Sequence, residues 1–139
     1  MILDSTVLTP EEKTAIDGYV GKAFSIFKII QVGTIGSHRM IVQEYSEDFT
    51  KYLNRSTDLN YCNIELRPLG IIVHLAKDRS RFSWVIPYYR LVFFDSKTFS
   101  IHGEGHFLKI RRDNNWKMNR KFIQKILSFK QKALEGSTI

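Results

Sequence analysis

A single cysteine, Cys62, stands in a chain of 139 residues. One thiol makes no internal disulfide, and a secreted domain of this size usually carries several, so a reducing, cytoplasmic setting is expected. In such a compartment the glycosylation pattern Asn54-Arg55-Ser56 has no meaning. Met1-Ile2-Leu3-Asp4-Ser5-Thr6 lacks the basic and then apolar run of an export signal. No stretch approaches the ~20 apolar residues of a membrane span, so no transmembrane segment is expected. Internal repeats and low-complexity tracts are absent. So are the Gly-x-Ser-x-Gly elbow, the Gly-rich phosphate loop ending in Lys-Ser/Thr, and any Cys-x-x-Cys pair. These absences weigh against catalysis and against a cofactor.

Hydrophobic residues make up 43% of the chain and charged ones 25%, ordinary values for one globular domain. The aromatic share, 13%, with ten Phe and six Tyr, is the departure. Large planar side chains suit half-buried pleated surfaces and point towards sheet. The net charge of +7 is also uneven. Met1–Leu66 holds six Lys/Arg against nine Asp/Glu, Arg67–Leu108 six against three, and Lys109–Ile139 nine against two. Positive charge therefore belongs to the C-terminal half.

Thr9-Pro10-Glu11-Glu12 predicts a helix start, with Thr9 as cap, Pro10 in the first turn and Glu12 closing a capping box. Ile16, Tyr19, Val20, Ala23, Phe24 and Phe27 continue it at three- and four-residue spacing. The stretch Phe24–Val32 fits a helix or a strand, since its isoleucines favour sheet and Gly33 and Gly36 follow as punctuation. Arg39–Tyr45 reads as a strand, Ser46 caps a short helical turn, and Asn54–Asn60 reads as a loop. From Cys62 onward short β segments predict a meander of about six strands, with turns at Pro68-Leu69-Gly70 and Gly103-Glu104-Gly105, and a break at Pro87. From Trp116 to Leu134 one half of the helical wheel is apolar, and Lys117, Arg120, Lys121, Lys125 and Lys132 fill the other.

Short antiparallel strands followed by an amphipathic helix resemble a bacterial pleckstrin-homology-like (PH-like) domain. The resemblance runs over roughly Cys62–Leu134. It is carried by Leu66-Arg67-Pro68-Leu69-Gly70-Ile71-Ile72, then Val85-Ile86-Pro87-Tyr88-Tyr89-Arg90-Leu91, then Phe122-Ile123-Gln124-Lys125-Ile126-Leu127. It implies an α+β fold: a PH-like antiparallel β-barrel, or a strongly bent sheet, capped by the C-terminal amphipathic helix, with an additional N-terminal helix. One domain is expected over 1–139, with a helical extension over about 9–60 and the PH-like core over about 62–134. The N-terminal sixty residues would lend strands to the barrel or add a layer to it. The resemblance brings no activity with it.

Three surfaces are candidates for binding. Lys77, Arg79 and Arg81 alternate along a hairpin tip, which would aim them to one side where they could clamp phosphate. PH domains that bind phosphoinositides use a basic strand-loop-strand of similar character, although a solvated tip explains the same residues. Lys117, Lys121 and Lys125 lie on the basic helix face, suited to anionic lipid or nucleic-acid phosphates, or to solvent alone. Phe82, Trp84, Tyr88, Tyr89, Phe93 and Phe94 crowd Pro87. Some should face outward, making Trp84, Tyr88 and Tyr89 a candidate contact for a partner protein or a second copy in a homo-oligomer.

Other constellations fit ordinary roles. On an extended strand His102 and His106 would stand about 13 Å apart at ~3.3 Å per residue, too far to share an ion, so no metal is expected. Cys62 reads as a small buried hydrophobe. Glu47 and Asp48 suit an exposed helix start. The expected function is a non-catalytic binding or scaffolding module, acting on a protein or on itself. Anionic-lipid, phosphate or nucleic-acid binding through basic surfaces, and a small enzyme with an unrecognised pocket, are the alternatives.

Overall fold

In a computed structural model of the chain, which describes residues 1–54 and 59–136, the capping box at Thr9 is complete. Thr9 Oγ1 accepts from Glu12 N at 3.1 Å, and Glu12 Oε1 accepts from Thr9 N at 3.0 Å. Helix α1, Pro10–Val20, follows and stops at Gly21, whose φ of 84° suits a residue without Cβ. The ambiguous segment is a helix, α2, Ile26–Val32. Ser25 Oγ accepts from Lys28 N at 3.3 Å to start it, and Gly33 at φ 85° ends it. Local capping overrides the β preference of its isoleucines.

Eight strands are present among the described residues: β1 Ile2–Asp4, β2 Met40–Tyr45, β3 Asn60–Arg67, β4 Gly70–Lys77, β5 Ser80–Pro87, β6 Val92–Asp95, β7 Phe99–Gly103 and β8 His106–Ile110. All pair antiparallel in one sheet, ordered β1-β5-β4-β3-β2-β8-β7-β6. Two expectations change here. The six C-terminal strands are not one meander. They form two meanders of three, β3-β4-β5 and β6-β7-β8, joined because β2 pairs with both β3 and β8. Nor is the sheet a closed barrel, since β1 pairs with β5, β6 pairs with β7, and no ladder links β1 to β6. The N-terminal region does lend strands, β2 at the centre and β1 at an edge.

The sheet is bent enough that residues far apart in strand order touch. A Cβ on Gly103 of β7 would lie 2.8 Å from Ile86 Cγ2 of β5. Pro87 ends β5, where its missing N–H costs no ladder bond, and a 3-10 turn at Tyr88–Arg90 carries the chain across to β6. The concave face gathers alternate residues of each strand: Ile64 and Leu66, Ile71 and Val73, Trp84 and Ile86, Ile101, Leu108 and Ile110. On the convex face α1 covers β4 and β5, packing Ile16 and Val20 on Ile72 and Val85.

The C-terminal helix begins as expected but is broken. A short helix α3, Asn114–Lys117, capped by Asp113, precedes α4, Arg120–Gly136, whose Phe122, Ile123 and Ile126 enter the main core. Asn119, at the junction, is 1% exposed. Its Oδ1 accepts from His38 N at 2.8 Å, and its Nδ2 donates to the carbonyls of His38 and Asn115 at 3.1 Å each. No helix among the described residues is long and apolar enough to cross a membrane.

Candidate functional site

The basic hairpin does not aim its three cations one way. Register pairs Lys77 with Ser80 and Ala76 with Arg81, and directly paired residues share a face. Lys77 therefore lies on the concave side and Arg81 on the convex side. The two-residue turn between the strands, with Asp78 at φ 56°, interrupts the alternation assumed from sequence. Lys77 Nζ reaches the carbonyl of Lys51 at 3.4 Å, whereas Arg79 is exposed at the tip. The Lys77–Arg79–Arg81 clamp is thus corrected to three separately placed cations.

The helical lysines divide as well. Lys117 is on α3, and Lys121 and Lys125 are on α4. Lys117 and Lys121 are exposed, but Lys125 Nζ donates to the carbonyl of Thr34 at 2.9 Å, tying α4 to the segment after α2. Phe24, just before α2, meets Phe129 of α4 with ring centroids 5.9 Å apart, so both flanks of α2 are tied to α4.

Trp84 and Tyr88 cannot supply a contact surface, because both are sealed in the core at 0% and 1% exposure. Tyr88 Oη donates to the Arg67 carbonyl at 2.8 Å, so the ring is also pinned by its polar end. Tyr89, one step on in the 3-10 turn, is turned out and 70% exposed. It borders a shallow depression of about 240 Å³ with Tyr19, Leu69 and Leu134.

Cys62 is buried, and burial pushes its thiol up to about 12, which leaves it protonated and inert at neutral pH. The turn at Glu104-Gly105 does fold sharply. However, Gly103 pairs with His106 and His102 with Phe107, so the two imidazoles take opposite faces. His106 Nδ1 lies 2.8 Å from Asp48 Oδ2 and edges onto Phe49 and Trp84, while His102 contacts Ser100 on the other side. Burial, and then the nearby Lys109, lower the His102 pKa. No group of three or more metal-ligating side chains occurs among the described residues.

Two surfaces escaped the reading of the residues. The first is α2, none of whose residues is buried. Ile26, Phe27 and Ile30 are 77%, 82% and 76% exposed, on one side of a helix held by its neighbours. No aspartate or glutamate occurs between Lys22 and Gln43, or between Asn114 and Leu134. Neither stretch therefore adds a carboxylate beside the apolar triad and the α4 lysines. A composition signal existed in those two stretches, but nothing in sequence announced that they would be neighbours.

The second lies on the convex face, towards the end of β3–β5 away from the Ile72 and Val85 positions on which α1 packs. Arg39, Tyr61, Asn63, His74, Ala76 and Arg81 line a shallow cavity of about 500 Å³ there. The Arg39 guanidinium lies 4.3 Å from the centre of the Tyr61 ring. His74 Nε2 is 3.0 Å from Glu65 Oε1, and Glu65 Oε2 accepts from Arg67 Nε at 2.5 Å. Burial acts to raise the Glu65 pKa, but hydrogen bonds and charge from His74 and Arg67 outweigh it and hold the carboxyl below its usual value.

Comparison of the chain with protein-family models, with curated proteins and with solved structures finds no match.

Proposed function

We propose that this chain is a non-catalytic binding module that docks on an anionic membrane surface through α2 and the neighbouring lysines of α4. The observation that carries this reading is the triad Ile26, Phe27 and Ile30, more than three-quarters exposed on a helix with no buried residue. Apolar side chains that stand clear of the surface suit insertion at the boundary between headgroups and acyl chains. Lys28 on α2 and the exposed Lys121 on α4 supply positive charge that anionic headgroups attract, each worth about 1 kcal/mol near such a surface. Two copies pairing through this region would bring lysines against lysines, which disfavours self-association here. The implied PH-like relationship agrees with a module that binds rather than catalyses.

The test is sedimentation with vesicles. Binding to mixed phosphatidylserine–phosphatidylcholine vesicles, weakened by salt and by Phe27→Ser with Ile30→Ser, supports the reading. Equal binding to pure phosphatidylcholine, or none at low salt, overturns it.

A protein contact at Tyr89 is a second reading, favoured by the apolar depression shared with Tyr19 and Leu69. A solution mass above that of one chain, reduced to one chain by Tyr89→Ser, is its expected outcome.

A further inference from the structure

The convex cavity brings together residues from four elements. β3 turns Tyr61 and Asn63 outward, and β4 turns His74 and Ala76 outward to pair beside them, with Asn63 opposite His74. Arg81 comes from β5 opposite Ala76, and Arg39 immediately precedes β2. The two arginines thus approach one cavity from different strands.

Their guanidinium groups are prepared for a ligand in different ways. Arg39 is laid against the Tyr61 ring, which fixes its plane while leaving its edge donors available. Arg81 is held at its backbone, where Ser5 N donates to its carbonyl and its own N–H donates to Thr6 Oγ1, each at 2.8 Å. Neither arginine has an ion pair among the described residues. No aspartate or glutamate among the described residues lines the cavity, and the nearby Glu65 is engaged by Arg67 and His74.

Two planar five-donor forks and the Asn63 amide offer more donors than a carboxylate can accept. A tetrahedral phosphoryl group, with several terminal oxygens, matches them better. The cavity, about 500 Å³, exceeds a lone phosphate and falls in the range of small-ligand sites. We propose that it binds a soluble phosphomonoester of nucleotide size, with Arg39 and Arg81 clamping the phosphoryl group and the organic part lying along Tyr61, Asn63 and Ala76. The site uses none of the residues assigned to membrane docking.

The test is titration of the isotope-labelled full chain, followed by NMR. The probes are inorganic phosphate, adenosine 5′-monophosphate, uncharged adenosine and a single-stranded oligonucleotide. Adenosine monophosphate is expected to shift the amides of Arg39, Tyr61, Asn63, His74 and Arg81, and to bind more tightly than phosphate or adenosine. Arg39→Gln or Arg81→Gln should each weaken it about tenfold or more, the scale of a lost charge-assisted hydrogen bond. Lys117→Gln should leave it unchanged. Both arginines are exposed, so these variants should fold, and an unchanged melting temperature verifies that. The proposal fails if adenosine monophosphate does not bind, if its shifts fall on α4, or if the double variant binds equally well. Phosphate binding as tightly as the nucleotide also overturns it. An oligonucleotide that binds far more tightly through the same residues would make the ligand a polymer and equally overturn the small-ligand assignment.

Discussion

Gly70 faces Pro87 across the β4–β5 ladder with no space for a side chain. A Cβ at that position would strike the Ile86 carbonyl oxygen and lie 2.5 Å from Val20 Cγ1 and 2.8 Å from Pro87 Cα. Backbone cannot yield there as a side chain could. Gly70→Ala is therefore expected to destabilise the fold by about 1–3 kcal/mol, the usual cost of overpacking, read as a lower urea midpoint. An unchanged midpoint would show that α1 shifts away freely.

Asn119 is expected to be among the costliest polar residues to truncate. Asn119→Ala removes three hydrogen bonds and strands the amide and carbonyl of His38. Because His38 is exposed and water can reach its amide and carbonyl, the loss should be about 1 kcal/mol per lost hydrogen bond and show as a fall in melting temperature. Asn119→Asp should recover part of it, because the acceptor towards His38 N is retained.

Alkaline pH should loosen the protein. Burial raises the pKa of the Cys62 thiol from 9.0 to about 12 and raises that of the Tyr88 phenol as well. Both groups are neutral when folded and ionise more readily once unfolded. Their contribution to stability is complete below the unfolded thiol pKa and is lost as pH rises towards about 12. Stability by urea titration should fall by up to about 1.4 kcal/mol per pH unit for the thiol, and Cys62→Ala should flatten that part of the profile.

Exposed positions on α2 should separate binding from folding. Phe27→Ser and Ile30→Ser remove side chains that are 82% and 76% exposed, so unfolding free energy should change by no more than about 0.5 kcal/mol each. Vesicle affinity, if carried by these residues, should drop while the melting temperature holds. A large loss of stability would instead mean that α2 packs against the body of the protein.

Element identity was legible wherever local chemistry dominates. Thr9 and Glu12 announce their helix because a capping box is complete within four residues, and Pro87 announces the end of a strand because it has no N–H to donate. The membership of Lys77 and Arg81 in opposite faces was not legible, since it depends on a turn of two residues rather than one or three. The short strand β1 escaped because three residues carry no period. Its place beside β5 is fixed by partners about eighty residues away, such as Trp84 opposite Ile2. The same limit hid the cavity on the convex face. Arg81 stood out only as part of the hairpin tip with Lys77 and Arg79; its grouping with Arg39, Tyr61 and His74 arises only through the registers of three ladders. Trp84 and Tyr88 illustrate the opposite error, because crowding of large rings suggested spillage to the surface, while the concave sheet had room for both.

The adjacency of α2 and α4 also governs motion before any contact is made. With no carboxylate on α2 and only Glu135, in its last turn, on α4, their shared side is predominantly positive, while carboxylates such as Glu11, Glu12 and Asp17 sit on α1. A molecule so divided is turned by an external negative potential as it diffuses, so its encounters with acidic surfaces begin already oriented. That torque reaches about a Debye length, some 10 Å at 0.1 M salt, and shortens as ionic strength rises. Salt should therefore slow arrival more than it hastens departure.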